Sequence, residues 1–346
     1  MNVTEMKNKN EPGFVKKVWI TGSIFALIVV ILLLVKATFN VFLLLLAGSL
    51  IAVYFRGFSG LIQRKTRWKP GVSLAISIAG TFILVIAVFW LIGAKLETQV
   101  AQLSETLPST IENAKTQLMK TPFGQKIVEK ASSPESMQKA QSMAGRFFQS
   151  TFGVFGDLYV ILFLGIFFTA SPKLYRDGII QLVPEKGKKK AKDVWEKVGE
   201  SWQKLLKGQL FAMFVVFVLT SIGLLILGVP MWLALAIIAG LLNFIPNFGP
   251  LIAMIPAVLV ALMQGPVTAA IVAGIYILVQ VIESNFITPM IQQKLVNIPP
   301  ALIIIAQLLM APLTGGWGLV LATPLMVILI VLVKELYVNN HSLKST

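Results

Sequence analysis

The chain has 346 residues, of which 56% are hydrophobic and 13% charged, about half the charged share of an ordinary soluble domain. Its 30 basic and 15 acidic residues give a net charge of +15, carried in the segments between apolar runs, so lipid and topology explain the excess better than nucleic acid does. There is no cysteine and one histidine, His341 in a polar tail. Disulfide frameworks, thiolate metal sites, imidazole triads and histidine-ligated metal centres are therefore excluded unless a partner supplies the histidine; neither metal nor cofactor is expected.

The apolar runs are about as long as a bilayer is thick, which takes roughly 20 residues of helix. Stretches such as Ile24–Val35 do not alternate as barrel strands would. The expected fold is an all-α integral membrane protein. Lys16 and Lys17 precede Val18–Val35 in the manner of a signal peptide, but the run is too long and has no small-residue cleavage pattern, which predicts an uncleaved first span. Four more spans follow at Thr38–Phe55, Gly71–Ala94, Phe152–Ala170 and Gly208–Gly228.

The loops set an orientation. Arg56, Arg64, Lys65, Arg67 and Lys69 lie between the second and third spans with no acid among them, and Ser171–Lys207 carries ten Lys/Arg. By the positive-inside rule both segments face the cytoplasm. Two crossings separate the N-terminus from the first of these loops, so it too is expected inside.

Residues 95–150 then lie outside. Leu96, Val100, Leu103 and Leu107 recur at helix spacing, Ser109 and Glu112 form a capping-box pattern, and Thr121-Pro122 and Ser133-Pro134 read as helix starts. This predicts a small external helical segment, either a spacer packed on sister subunits or a gate. In the basic linker 171–207, Trp195, Val198, Trp202 and Leu205 repeat at intervals of three and four after the Lys186–Lys190 cluster. That pattern predicts an interfacial amphipathic helix meeting anionic lipids, or a hinge coupling the two membrane halves.

The last hundred residues differ. From Val229 to Val333 the charges are Glu283 and Lys294. Met231–Phe244 and Leu251–Met263 are each short of the hydrocarbon thickness, and between them lies Asn243-Phe-Ile-Pro-Asn-Phe-Gly-Pro250, a sequence that cannot stay helical. Pro246 and Pro250 remove backbone donors, Gly249 adds freedom, and Asn243 and Asn247 bring amides to a depth where unpaired polar groups cost several kcal/mol. Irregular backbone survives there where protein buries it or water reaches it. A re-entrant hairpin over 231–263, its tip on a solute path, is the favoured expectation; an ordinary span pair with a wet turn is the alternative.

Val267–Ile287 reads as a crossing, followed by a proline-rich loop Thr288–Pro300, a short span Ala301–Leu313, the turn Thr314-Gly-Gly-Trp-Gly318 and a last span Leu319–Val333. The total is about eight spans plus the hairpin, with the C-terminal tail 335–346 back inside. The units are 1–94, 95–150, 151–170, 171–207 and a C-terminal transport half, 208–334. Paired short or Gly/Pro-interrupted segments are the best sequence pointer to a transporter's binding site.

Glu283 shares a helix face with Gln280 and Tyr276, and Asn285, Thr288 and Pro289 extend the cluster. An ionisable residue inside the membrane is a proton relay or ion ligand by default, set against simple solvation or pairing with Lys294 at the boundary. Asp157, beside Gly153 and Gly156, reads as an interfacial cap or as a second ion-coupling group. The glycines at 315, 316 and 318 do not make a phosphate loop, because no Gly-Lys-Ser/Thr follows.

Taken together, Asn243-Phe-Ile-Pro-Asn-Phe-Gly-Pro250, Met254-Ile-Pro256, Gln280-Val-Ile-Glu-Ser-Asn285 with Thr288-Pro289, and Gly315-Gly-Trp-Gly318 to Thr323-Pro324 resemble the autoinducer-2 exporter family of bacterial permeases. The resemblance spans nearly the whole chain, in motifs over the last third and in layout before it. It implies a multi-pass permease of the bacterial cytoplasmic membrane, a homo-oligomer, with an elevator-like moving half. Some members are described as autoinducer-2 exporters and others as sodium/proton antiporters. The motif residues carry over to Asn243, Pro246, Asn247, Gly249, Pro250, Gln280, Glu283, Asn285 and Pro289. Three functions follow as expectations: export of a small polar solute by alternating access, cation/proton exchange through Glu283 or Asp157, and a non-transporting membrane scaffold. No enzymatic role is expected.

Overall fold

The computed structural model describes residues 14–88, 90, 116, 119, 125, 153, 156–292 and 299–338. The external helical segment 95–150, apart from three isolated positions, Lys294 and both extreme termini lie outside the described residues. What is described is helical: α1 Phe14–Thr66, α2 Pro70–Val88, α3 Gly156–Ala170, α4 Pro172–Gln181, α5 Glu185–Ile226, α6 Trp232–Leu242, α7 Phe248–Leu262, α8 Pro266–Ile282, α9 Thr288–Gln292, α10 Pro300–Thr314 and α11 Gly316–Val333. Wider π-type turns at Glu283–Ile287 and Lys334–Val338 follow α8 and α11.

Two expectations about helix ends are corrected. The first two spans are not separated by a turn at Lys36. α1 runs unbroken for 53 residues, because no glycine or proline lies between Gly22 and Gly48 and a single lysine does not stop a helix. At 1.5 Å per residue α1 is about 80 Å long, over twice the hydrocarbon thickness, and Phe14–Ile31 is 0% buried. Similarly, the linker helix and the fifth span are one 42-residue helix, α5. Trp202 and Leu205 are not at a lipid boundary: both are buried, and the Trp202 indole donates to the Pro324 carbonyl at 3.1 Å.

A change of direction comes at α4. It is bent by 89° from α3, where Pro172 starts a new helix one residue after the break at Ser171. Among the described residues six stretches are long and apolar enough to cross a membrane, or seven if α3 and α4 count together. α6, α7 and α10 are apolar but shorter. The expected count of eight is not reached by length and composition.

The helices pack as two bodies that share α5. In the first, the middle of α1, α3, the N-terminal half of α5, α10 and α11 bury Leu43, Leu50, Ile161, Trp202, Ile303 and Val327. α1 and α3 run parallel at close range: a Cβ on Gly48 would come within 2.7 Å of Leu164, and Arg56 reaches the Thr169 carbonyl. α2 returns antiparallel to α1, with Ser77 Oγ donating to the Phe55 carbonyl at 3.0 Å. In the second body, the C-terminal half of α5 packs with α6, α7 and α8 around Val216, Leu235, Ala257, Val272 and Tyr276. Lys197 pairs with Glu335 at 2.6 Å. The end of α11 therefore lies on the same side as the basic linker.

Candidate functional site

The break predicted between Asn243 and Pro250 is present: α6 stops at Leu242 and α7 starts at Phe248. Asn247 takes φ 68 and ψ -44, the centre of a tight γ-turn closed by the Phe248 N–H donating to the Pro246 carbonyl at 2.8 Å. Gly249 has no room for a side chain, since a Cβ there would overlap the Leu242 carbonyl. Pro250, in the first turn of α7, loses no intrahelical bond by lacking an N–H.

The tip is held by two glutamines that sequence reasoning missed. Gln209 Nε2 on α5 donates to the Asn243 carbonyl at 2.6 Å, and Gln307 Nε2 on α10 donates to the Pro246 carbonyl at 3.0 Å. Gln209 satisfies the Asn243 carbonyl, and Gln307 adds a second donor to the Pro246 carbonyl, which also accepts from the Phe248 N–H at 2.8 Å. Asn243 and Gln307 are 2% and 0% exposed, yet Asn243 Nδ2 and Gln307 Oε1 have no hydrogen-bond partner among the described residues. A lone polar residue in the apolar run 301–313 was the signal for Gln307; Gln209 follows the basic linker and had none.

α10 and α11 form a second tight pair. Gly315 makes the turn at φ 64, and a Cβ on Gly318 would meet the Met310 carbonyl at 2.5 Å. The Gln307 to Pro246 bond thus joins one interrupted pair, α6–α7, to another, α10–α11.

Of the residues expected around Glu283, Gln280 and Thr288 bond to its carboxylate and Tyr276 and Asn285 do not. Glu283 Oε2 accepts from Gln280 Nε2 at 3.2 Å and from Ser284 Oγ at 3.4 Å, and Oε1 accepts from Thr288 Oγ1 at 2.8 Å. The π-type turn brings Thr288, five residues on, beneath the carboxylate; such turns are frequent at functional sites. These donors are all neutral. Asn285 instead bonds back to its own helix, at the Val281 carbonyl, and is exposed, so it is not drawn into the cluster. Pro289 lies in the first turn of α9 and is half-buried.

Tyr276, about two turns before Glu283, is 4% exposed, and its hydroxyl has no partner among the described residues. It does not stand alone. Gln280 Oε1, Thr220 Oγ1 and Ser221 Oγ are also buried without partners. Thr220 is conspicuous: Thr38, Ser49, Thr66, Thr81 and Thr169 all donate to a carbonyl four residues back, and Thr220 does not.

Helix register puts these groups in order. Gln264 Nε2, just before α8, donates to the carbonyl of Gly228, just after α5, and Gly223 lies directly against Ile275. α5 and α8 are therefore antiparallel, with Thr220 and Ser221 near the height of Tyr276. α6 is also antiparallel to α5, since Gly240 packs on Phe217 and the Met213 carbonyl. Counting about 1.5 Å per residue from these contacts, the Asn243 tip and the Glu283–Pro289 segment flank α5 at the height of Gln209.

Asp157 belongs elsewhere. Its Oδ2 accepts from the Trp317 indole at 2.7 Å, which ties the start of α3 to the α10–α11 turn.

A family described as AI-2E family transporter matches residues 24–338, nearly the whole chain. The chain belongs to this transporter family. It is 24% identical over 351 residues to "Putative transport protein BpOF4_00890" of Alkalihalophilus pseudofirmus, a match covering 94% of this chain and 90% of that protein. With "Putative transport protein YrrI" of Bacillus subtilis it shares 29% over 164 residues, 47% of this chain and 46% of the relative. With "Putative permease PerM" of Escherichia coli it shares 25% over 171 residues, 49% and 48%. The chain thus spans about half the length of YrrI and of PerM.

Proposed function

We propose that this multi-pass membrane protein is a secondary transporter that moves a small polar solute, such as autoinducer-2, outward across the cytoplasmic membrane by alternating access. The observation that carries the reading is the set of buried, unpartnered amide and hydroxyl groups around α5: Asn243, Gln307, Tyr276, Gln280 and Thr220. A buried polar atom without a partner costs about 1–3 kcal/mol. A solute with several hydroxyls satisfies both the amide donor and the carbonyl and hydroxyl acceptors on offer. The neutral character of the set favours a polar, uncharged solute over an ion.

The motion follows from the division into two bodies. α6–α7 is too short to cross, about 16 Å and 22 Å of helix against roughly 30 Å of hydrocarbon, which suits a re-entrant hairpin. Gln209 and Gln307 hold its tip by one side-chain bond each, and these are bonds that can be exchanged for bonds to solute. Pro246, Asn247, Gly249 and Pro250 shape the tip, and a homo-oligomer would anchor the first body while the second moves.

Cation/proton exchange is the second reading, favoured by one feature. Glu283 is surrounded by neutral donors and, among the described residues, has no cationic partner, so its carboxylate is available to a proton or cation.

Flux in proteoliposomes separates the two. Wild-type protein and Glu283→Gln are compared with autoinducer-2 and with sodium under an imposed pH gradient. Autoinducer-2 movement that persists in Glu283→Gln supports the exporter; sodium flux lost in the variant supports exchange; no flux of either rejects both.

A further inference from the structure

Where α3 turns through 89° into α4, a cavity of about 790 Å³ opens between α4, α5 and the end of the α1–α3 contact, lined by Arg56, Lys173, Arg176, Trp195, Glu196 and Glu200. Its depth in the membrane follows from α4. If α3 crosses the bilayer, a helix at right angles to it lies along the surface. α4 has no buried residue, and Ile179 and, at its C-cap, Leu182 are 51% and 85% exposed. Each such side chain prefers an apolar environment to water by about 1.5–3 kcal/mol, and the acyl boundary supplies one. The cavity, on the other side of α4 toward α5, is thereby placed at headgroup level, on the side that carries the basic linker.

Its charges are of both signs and are sorted by element. Glu196 and Glu200 stand four apart on one face of α5. Arg56, Lys173 and Arg176 come from α1 and α4. Arg56 is fixed, because its Nε and Nη2 both donate to the Thr169 carbonyl at 3.2 and 2.9 Å, leaving three of its five N–H groups free for a ligand. Arg176 is held partly by Asp177 at 2.8 Å. Among the described residues Lys173, Glu196 and Glu200 have no ion pair within bonding distance.

A purely anionic ligand would face the two carboxylates, and a purely cationic one the three basic groups. We propose that the cavity seats the headgroup of a phosphoethanolamine lipid, its phosphate on Arg56 and Lys173 and its primary ammonium on Glu196 and Glu200. Charge-assisted hydrogen bonds to the ammonium require N–H donors, which a quaternary choline lacks. Trp195, 41% exposed at the rim, and Leu174 meet the glycerol and upper acyl region. The bound lipid clamps α4 to α5, the helix both bodies share.

The test uses the full chain in detergent with added phosphatidylethanolamine, phosphatidylcholine or phosphatidylglycerol, read by native mass spectrometry and by the shift in melting temperature. The expected result is retention and stabilisation by phosphatidylethanolamine at least tenfold above the other two, with that preference lost in Glu196→Gln/Glu200→Gln and all phospholipid binding weakened in Lys173→Gln. These side chains are exposed, and an unchanged circular dichroism melt without lipid verifies that the variants fold. Equal binding of phosphatidylethanolamine and phosphatidylcholine, a preference for phosphatidylglycerol, a preference that survives the double substitution, or equal stabilisation by soluble phosphoethanolamine would overturn the proposal.

Discussion

The two bodies that share α5 treat their polar groups differently. In the first, polar side chains are paired over long distances in sequence: Arg56 with the Thr169 carbonyl, Ser77 with that of Phe55, Trp202 with that of Pro324 and Trp317 with Asp157. Thr323 Oγ1 and, on α10, Gln307 Oε1 are the exceptions. In the second body and at its contact with α10, Thr220, Ser221, Asn243, Tyr276, Gln280 and Gln307 each keep a buried atom without a partner. Since buried polar groups are normally satisfied, the first pattern is that of a scaffold. The second leaves hydrogen-bonding capacity unused among the described residues, as the proposed solute path requires.

This comparison can be broken most forcefully at the tip. Gly249→Ala places a Cβ on the Leu242 carbonyl, and overpacking of this kind costs about 1–3 kcal/mol or more. The variant is expected to lose most of its flux and to melt at a lower temperature, both measured on the purified protein. A tolerated Gly249→Ala would show that the tight turn is dispensable.

Next in size is the scaffold pairing of Asp157 with Trp317. Trp317→Phe removes a hydrogen bond to a charged group, worth about 1.5–3 kcal/mol, and is expected to lower thermal stability while flux per folded molecule holds. A flux loss with no stability loss would move this pair from scaffold to transport.

A smaller effect is expected at Gln307. Gln307→Met removes the 3.0 Å side-chain donor to the Pro246 carbonyl and leaves it the Phe248 N–H, a loss of about 1 kcal/mol that loosens the tip from α10. Hydrogen exchange at residues 243–250 should speed up, with α2 as the unchanged internal control.

Much of this fold was legible in the sequence because it is local. The break at Asn243–Pro250 follows from two prolines and a glycine crowded into five residues, Pro246 to Pro250, and the Gln280–Glu283 contact follows from helix spacing. The tertiary partners were not legible. Gln209 reaches Asn243 across 34 residues and Asp157 reaches Trp317 across 160, and neither pairing leaves a periodic trace. Lys36 looked like a boundary because charge marks span ends on average, yet nothing around it breaks a helix. Trp202 looked like a headgroup anchor because an apolar stripe at helix spacing has the same pattern whether lipid or α11 covers it.

The central claim is that the unpartnered groups serve solute and not stability. Thr220→Val together with Tyr276→Phe tests it most directly, because both changes delete a buried, unpartnered hydroxyl and keep the shape. The account predicts a melting temperature equal to or above wild type, and a slowing of whichever flux the wild type supports, autoinducer-2 or sodium, by roughly 2–10-fold per lost hydrogen bond of about 0.5–1.5 kcal/mol. Wild-type flux from the double variant, or a clear loss of stability, would contradict it.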